Sequence, residues 1–394
     1  MDLELSAEQE AFRKVVRDFA ASEIAPHAEA WDRDHHFPVD VVLAMGELGL
    51  FGLPFPEAYG GSGADLTTLC VAIEELARVD QSLAITLSAG VGLGASPIFH
   101  FGSEDQKQRW LPDLCAGRAL GAFGLTEPGG GSDAGATRTK AVAAGDEWVI
   151  DGEKAFITNS GTPITSVITV TARTAPARGA GAGGKGNGAK REISAFLVPA
   201  GTPGLEVQPP YRKMGWHASD THGLSFADCR VPAENLLGAR GQGFASFLAI
   251  LDEGRIAISA LALGCIEACL ELSTAYAGER LAFNKPIGAN QAVAFSIADL
   301  AVMAENARNL TYKAAALRDA GKPFTKAAAI AKLYTTEAAV SATRTATQVF
   351  GGYGFVDETP VSRFYRDAKI LEIGEGTSEI QRLVISRSLG LPVG

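Results

Sequence analysis

Two segments of the chain concentrate residue types that perform chemistry. The first, Leu125-Thr126-Glu127-Pro128-Gly129-Gly130-Gly131-Ser132-Asp133, crowds flexible backbone and short hydroxyls into one loop. Such a loop lets main-chain N–H groups and side-chain oxygens approach a planar ligand closely, although Pro, Gly, Ser and Asp also make ordinary turns. The second runs Glu372-Ile373-Gly374-Glu375-Gly376-Thr377-Ser378-Glu379-Ile380-Gln381-Arg382. Ser378-x-x-Gln381 has the form of a capping box, with Ile380, Leu383 and Val384 as the apolar stripe of the helix it opens. Glu375 therefore stands just ahead of a helix. An isolated carboxylate there is a solvated cap partner, whereas one tuned upward by burial is a base for a weakly acidic proton.

Other spacings carry less. Gly179 to Gly188 contains Gly179-x-Gly181-x-x-Gly184, and Gly184-Lys185 nearly completes a phosphate-binding loop. Gly186 stands where Ser or Thr would bind magnesium, and a strand follows instead of a helix, so a flexible loop is the better reading. Gly130-x-Ser132-x-Ala134 lacks the last glycine and the strand-to-helix setting of a hydrolase elbow. Ser132 is not read as a nucleophile. Five cysteines, Cys70, Cys115, Cys229, Cys265 and Cys269, are odd in number and scattered, which argues for a reducing, cytoplasmic compartment. Cys265 and Cys269 lie four apart in an apolar helical run and read as core thiols, with no further Cys or His at zinc-like spacing. No metal is expected.

Elements must position the two segments. From Ala7 to about Arg118, apolar residues recur at helical spacing, as in Phe12, Val15, Val16 and Phe19, then Leu69, Ile73, Leu76 and Leu83. Ser6 to Gln9 reads as a capping box, and the residues before it lack the basic and apolar regions of a secretory signal, so the fold is expected to begin near residue 5. Near residue 122 the pattern changes. Glu147-Trp148-Val149-Ile150 and Lys154-Ala155-Phe156-Ile157 flank Asp151-Gly152, a hairpin signal. Ser166–Ala172, Ile193–Val198, Leu205–Gln208 and Leu224–Phe226 are further β-prone runs that fit a small barrel or sandwich. Beyond about Gly241 the helical period returns in long Ala-rich stretches, roughly Gln242–Arg280, Asn290–Ala320 and Lys326–Gln348, with a last helix near Ser378. Long antiparallel helices imply a bundle, and helices, then strands, then helices imply separate domains of an α+β protein rather than a βαβ sheet.

The chain has 394 residues, enough for two or three domains. Hydrophobic residues make up 46% and charged residues 20%, a globular profile. The net charge is −10, and without a basic stripe nucleic acid is an unfavourable partner. Gln81 to Ser103 contains no Asp, Glu, Lys or Arg, but four glycines, Pro97 and His100 interrupt it, so a buried helix, a turn and a second buried segment fit better than a membrane span.

Gln348-x-x-Gly351-Gly352-Tyr353-Gly354-Phe355, with Arg363 and Asp367, leads into the Glu375 segment. Taken with the Thr126 to Asp133 loop, this resembles the acyl-CoA dehydrogenase family, flavoproteins that desaturate acyl-CoA thioesters between Cα and Cβ. Further matches are Asp32 to Pro38, Pro56 to Gly63, Phe156-Ile157-Thr158-Asn159, Lys213-Met214-Gly215-Trp216, Leu251 to Arg255 and Arg280-x-x-Phe283-x-Lys285-Pro286, so the resemblance covers nearly the whole chain. It implies an N-terminal helical domain (1–121), a middle β-barrel or sandwich domain (122–235) and a C-terminal four-helix bundle (236–394), with FAD and substrate where they meet. By motif position, Phe123, Leu125, Thr126, Ser132, Phe156 and Thr158 would contact the flavin ring, and Gly131 and Ile157 would also belong to the cofactor site. Arg280, Phe283, Gln291, Gln348, Gly351 and Gly352 would hold the pyrophosphate and adenosine part of FAD across a dimer interface, and Thr377 and Glu379 lie beside the catalytic loop. The family is usually a homotetramer, a dimer of dimers, and passes electrons to an electron-transfer flavoprotein.

Glu375 matches the family's base. Some relatives carry the base at the position of Gly254, which offers no proton acceptor, and the neighbouring Glu253 is rotated by about 100° on a helix. Asp252, Arg255, Gly374, Gly376 and Ser132 are read as substrate-side contacts. In relatives the N–H of this glutamate and a ribityl hydroxyl polarise the thioester carbonyl, and the hydride from Cβ goes to the flavin. Gly374 stands where many relatives carry a bulky aromatic, which suits a short or methyl-branched acyl group. The alternative is an oxidase or monooxygenase on the same fold; the intact Glu375 loop speaks against the monooxygenase branch.

Overall fold

A computed structural model describes residues 4–174 and 192–393; the Gly179 to Gly188 segment lies outside the described residues. Helix α1 (Ala7–Phe19) opens on the expected capping box, in which the Ser6 side chain accepts from Gln9 N and the Gln9 side chain accepts from Ser6 N. It is followed by α2 (Ala28–Asp34), α3 (Val39–Glu47), α4 (Leu66–Ala77), α5 (Gln81–Ala89), α6 (Ser96–Phe101) and α7 (Glu104–Cys115). The turn expected within Gln81 to Ser103 is absent. Gly90–Ala95 continues as a π-helix, so α5 and α6 form one helical run from Gln81 to Phe101. The inserted glycines explain this: Gly94 lies against the backbone of Gly121 with no room for a Cβ on either residue. Gln81–Phe101 and the later Gly243–Glu279 are both long and apolar enough to cross a membrane, but 83% of the most apolar window of each is buried inside the protein.

The middle region carries β1 (Leu120–Gly124), β2 (Lys140–Ala144), β3 (Glu147–Thr158), β4 (Thr165–Thr174), β5 (Glu192–Pro199), β6 (Leu205–Pro210), β7 (Thr221–Pro232) and β8 (Leu236–Leu237). They form one sheet in the order β6-β7-β3-β2-β4-β5-β8, with β1 pairing parallel to β4. Its core contains Ile150, Ile168, Val170, Phe196, Leu224, Phe226 and Val231. The Asp151-Gly152 hairpin is corrected here. Strand β3 runs straight through both residues with an irregularity against β7, and the chain reverses instead at Gly145-Asp146 between β2 and β3. Gly152, at φ +147°, is required because a Cβ there would meet the Thr139 backbone, so this glycine marks a close approach in a strand.

Four long or mid-length helices, α8 (Gly243–Glu279), α9 (Gln291–Asp319), α10 (Thr325–Phe350) and α12 (Ser378–Ser388), build the C-terminal bundle, joined by α11 (Pro360–Ala368) and a short β9 (Leu281–Ala282)/β10 (Lys285–Pro286) pair. Helix α8 is the central element, buried on all sides from Gly254 to Cys269, as expected of a helix that is apolar all round. The Phe123 ring of β1 stacks on Phe247 of α8 at 3.8 Å and ties sheet to bundle.

A charged junction joins the three regions. Asp32 of α2 accepts from His217 Nδ1 at 2.9 Å, and its two oxygens accept from the Arg366 guanidinium of α11. His217 Nε2 lies 2.9 Å from the Lys213 carbonyl. A carboxylate and a carbonyl can only accept, so these two contacts favour a proton on both ring nitrogens and raise the His217 imidazolium, although Arg366 Nη1 also lies 3.4 Å from Nδ1. All five cysteines are buried thiols. Among the described residues no group of three or more His, Cys, Asp or Glu could hold a metal.

Candidate active site

The Glu375 loop lies between a 3-10 turn, Lys369–Glu372, and α12. Glu375 has φ +50° and Gly376 φ +92°, two successive left-handed residues. For a glutamate this conformation costs about 1–3 kcal/mol, and the surroundings hold it in place. Thr377, not Ser378, is the N-cap of α12, its Oγ1 accepting from Ile380 N at 3.3 Å. Gln381, freed from the expected box, turns back and donates from Nε2 to the Gly376 carbonyl at 2.8 Å. From α10, the fully buried Lys332 donates from Nζ to the same oxygen, also at 2.8 Å.

The turn sends the Glu375 side chain toward α8. Its Oε2 is buried and has no hydrogen-bond partner, and a Cβ on Gly254 would overlap it. Burial pushes the carboxyl from 4.5 up to about 7, while Lys332 and Arg255 pull in the opposite direction. Arg255 is paired with Asp252 one turn away, and Asp252 Oδ2 also accepts from Thr325 Oγ1 at 2.8 Å. A Cβ on Gly374 would touch only the Ile370 carbonyl, at 3.5 Å. Beside Gly254 lies a cavity of about 40 Å³ lined by Phe55, Leu69, Val91, Phe99 and Ile250. His100 and the Glu253–Arg318 ion pair also line it; that pair is bidentate at 3.0 and 3.1 Å.

The Thr126 to Asp133 loop is braced from below. Glu127 Oε1 accepts from Thr139 N at 3.0 Å and from Lys154 Nζ at 2.9 Å, and Oε2 accepts from Arg138 N at 2.7 Å. Lys154, fully buried, also donates to the Leu125 carbonyl at 3.2 Å. Ala155 N donates to Thr126 O at 2.9 Å, which sets Phe156 beside the loop with φ +60° and its ring 65% exposed. An exposed aromatic beside a glycine loop, with the Thr126 and Ser132 hydroxyls making no bond among the described residues, fits a flat ring system. Gly131 stays open for such an approach, only the Thr126 Cγ2 being near it. Thr158 is half-buried on the same strand. Two residues expected at the cofactor are placed differently: the Ile157 side chain is buried in the sheet core, because alternation along β3 turns it away from Phe156, and the Phe123 ring stacks on Phe247.

Arg280, Gly351 and Gly352 come together in a groove with Tyr276, Phe350 and Tyr353. The Arg280 guanidinium lies 5.6 Å from the centre of the Tyr353 ring, and Gly351 needs its left-handed φ of +61°. Gln291 begins α9, Gln348 is exposed one turn before Gly351, and the Phe283 ring is 93% exposed. Thr377 and Glu379 stand at the start of α12. This groove is far from the Thr126 loop. Gly135, beyond that loop, faces Phe244 in the first turn of α8, whereas Arg280 caps its last turn, and the 37 residues between span about 55 Å.

Comparison with known proteins decides what this arrangement belongs to. Residues 6–118, 122–229 and 241–390 match the family models for the acyl-CoA dehydrogenase N-terminal, middle and C-terminal domains. The chain is 50% identical over 390 residues to the probable acyl-CoA dehydrogenase YngJ of Bacillus subtilis, covering 99% of this chain and 100% of that protein. The chain belongs to the acyl-CoA dehydrogenase family. The mitochondrial short-chain specific acyl-CoA dehydrogenase of Mus musculus is 45% identical, with 98% of this chain and 91% of that protein covered. Butyryl-CoA dehydrogenase from Megasphaera elsdenii superposes with a TM-score of 0.92 at 41% identity, over 99% of this chain and 100% of that one. As an acyl-CoA dehydrogenase, the protein is an oxidoreductase that uses FAD, and the helical, sheet and helical regions are those of the family.

Two buried lysines escaped the sequence reading of this acyl-CoA dehydrogenase. Lys332 is the lone charge on a face of Ala328, Ala329, Ala331 and Ala339, and a charge on an apolar stripe is the signal that would have found it. Lys154 falls in a strand beside Glu153, where nothing in the alternation separates an inward ammonium from a surface one.

Proposed function

We propose that this acyl-CoA dehydrogenase acts on short acyl-CoA thioesters, forming the trans-2-enoyl-CoA, with Glu375 as the base that removes the α-proton. The observation carrying this reading is the Glu375 carboxylate: buried, raised to about 7 and with Oε2 unpartnered against Gly254. A base near neutrality is half ionised in its resting state and binds the abstracted proton without a large penalty. The Glu375 N–H makes no bond among the described residues and is the group assigned to polarise the thioester carbonyl. Arg255, held by Asp252, adds positive charge on the same side. FAD, when bound, accepts the hydride from Cβ. Thr126, Ser132, Phe156 and Thr158 are assigned to its ring.

Short chains are favoured by the small cavity and by the Glu253–Arg318 pair in its lining, since methylenes packed on an ion pair gain little. The openness beside Gly374 supports methyl-branched acyl groups as well. Arg280 lies at the far end of α8, about 55 Å of helix from the turn that faces the Thr126 side, and shares its groove with Gly351 and Gly352, which supports these residues and the nearby Gln348 holding the distal part of a partner subunit's FAD. Exposed Phe283, Phe295, Val302 and Phe355 support burial between subunits in a homotetramer. Division of the chain at 1–121, 122–235 and 236–394, an electron-transfer flavoprotein as acceptor and a cytoplasmic setting complete the reading.

Anaerobic addition of butyryl-, hexanoyl-, isobutyryl- and isovaleryl-CoA to the flavin-loaded protein tests it. Rapid bleaching by a four- or five-carbon thioester, lost in Glu375→Gln, is expected; bleaching only by long straight chains would overturn the substrate assignment.

A further inference from the structure

Lys332 has no exposed surface, and a lysine is almost never fully buried without a partner. Among the described residues it has no carboxylate within ion-pairing distance. Its hydrogen bond goes to a neutral acceptor, the Gly376 carbonyl at 2.8 Å, which also accepts from Gln381. This two-donor clamp closes on the residue directly after Glu375, in a turn whose two successive left-handed residues would not persist unsupported.

We propose that Lys332 is a positioning residue for proton abstraction, its buried ammonium fixing, through the Gly376 carbonyl, the turn that aims the Glu375 carboxylate at Gly254, and supplying a positive charge behind that carboxylate. The inference rests on Glu375 being the base. The other charged groups around Glu375 are accounted for. Arg255 from α8 is ion-paired with Asp252 and still pulls the Glu375 carboxyl down, Glu253 is paired with Arg318, and Glu372 on the preceding turn with Lys369, while Glu379 on α12 is exposed. Lys332 from α10 is thus the cation left to face the base without an ion-pair partner among the described residues. The influence is mutual: burial lowers the Lys332 ammonium to about 8, and Glu375 acts to raise it.

The test uses flavin-loaded Lys332→Met, Lys332→Gln and Lys332→Arg with butyryl-CoA under anaerobic conditions, reading the bleaching rate constant across pH 6 to 9. Wild type and Glu375→Gln are the references. In the Met and Gln variants the rate is expected to fall roughly 10- to 100-fold at neutral pH, and its acid limb to move up by about one pH unit or more. Arginine should restore the position of the limb. The Gln variant keeps a donor for Gly376 while removing the charge, so the test stands even if the Met variant does not fold. A limb that stays in place in folded, flavin-loaded Met or Gln variants overturns the role of Lys332 and leaves the base assignment intact. Wild-type bleaching by Glu375→Gln removes the base assignment itself, and the role of Lys332 with it.

Discussion

The Glu375 carboxylate occupies the space into which a side chain on Gly254 would project. One residue belongs to the loop before α12 and the other to the buried stretch of α8, 121 positions apart in the chain. They converge on one point, and only one of them can carry a side chain there. The glycine at 254 is thus the counterpart of the glutamate at 375.

Gly254→Ala should displace the base. The added methyl meets Oε2, the carboxylate must rotate away, and a misplacement of about 1 Å costs on the order of 100-fold. Anaerobic bleaching rates should show the loss with flavin content unchanged. The double variant Glu375→Gly/Gly254→Glu, which returns a carboxylate to the same point from the other side, should recover part of the rate lost in Glu375→Gly alone.

The pH profile follows from the raised carboxyl. The base works ionised, so kcat/KM should rise with pH through a limb near 7, the value to which burial brings Glu375 against Lys332 and Arg255. In Glu375→Gln the limb should vanish and the rate fall by about 100- to 10,000-fold. A limb at the ordinary carboxylate value of 4.5 would contradict the buried geometry.

Chain length should respond to the Glu253–Arg318 pair. Glu253→Met with Arg318→Leu replaces the ion pair by apolar surface, and the ratio of kcat/KM for hexanoyl-CoA over butyryl-CoA should rise by at least tenfold, as expected at about 1–3 kcal/mol per methylene in a pocket. Glu253→Met alone leaves Arg318 without this partner, and its melting temperature should fall below that of the double variant.

Stability should depend on His217 in a defined direction. The hydrogen bond that His217 donates to Asp32 raises the imidazolium above its ordinary 6.5, against the effect of burial. A raised cationic group contributes stability that is complete below 6.5 and disappears as pH climbs through the folded value. Burial works against the charge of Asp32, but the His217 and Arg366 bonds outweigh it and hold the carboxyl well below 3.8, so its share is present above 3.8 and is lost on further acidification. Denaturation midpoints of wild type and His217→Gln should therefore differ most between pH 4 and 6.5 and converge on the alkaline side.

The helices were legible in the sequence because their apolar period is a local property; α8, α9 and α10 begin and end within two residues of where periodicity puts them. Gly152 misled because Asp-Gly is a turn signal wherever it stands, and the Thr139 backbone that makes glycine necessary there is a neighbour only once β2 and β3 are paired. The Glu375 motif was readable, yet its capping was not: Ser378 and Thr377 are chemically near-equivalent caps, and Gly376, left-handed and clamped by Lys332, sets the register. Lys332 and the Asp32–His217–Arg366 junction join residues far apart in the chain, and local patterns hold no record of such distances.

The same junction bears on how freely the parts of this enzyme can be exchanged. Each of its three members comes from a different region, and each leaves a charge exposed to a mismatched surface if its neighbours are replaced. A chimera whose borrowed middle region lacks a histidine at 217 leaves Asp32 with Arg366 alone and should lose the stability that the histidine contributes at acidic pH. Donors that share this contact should therefore give the more stable grafts, whatever acyl chain they accept.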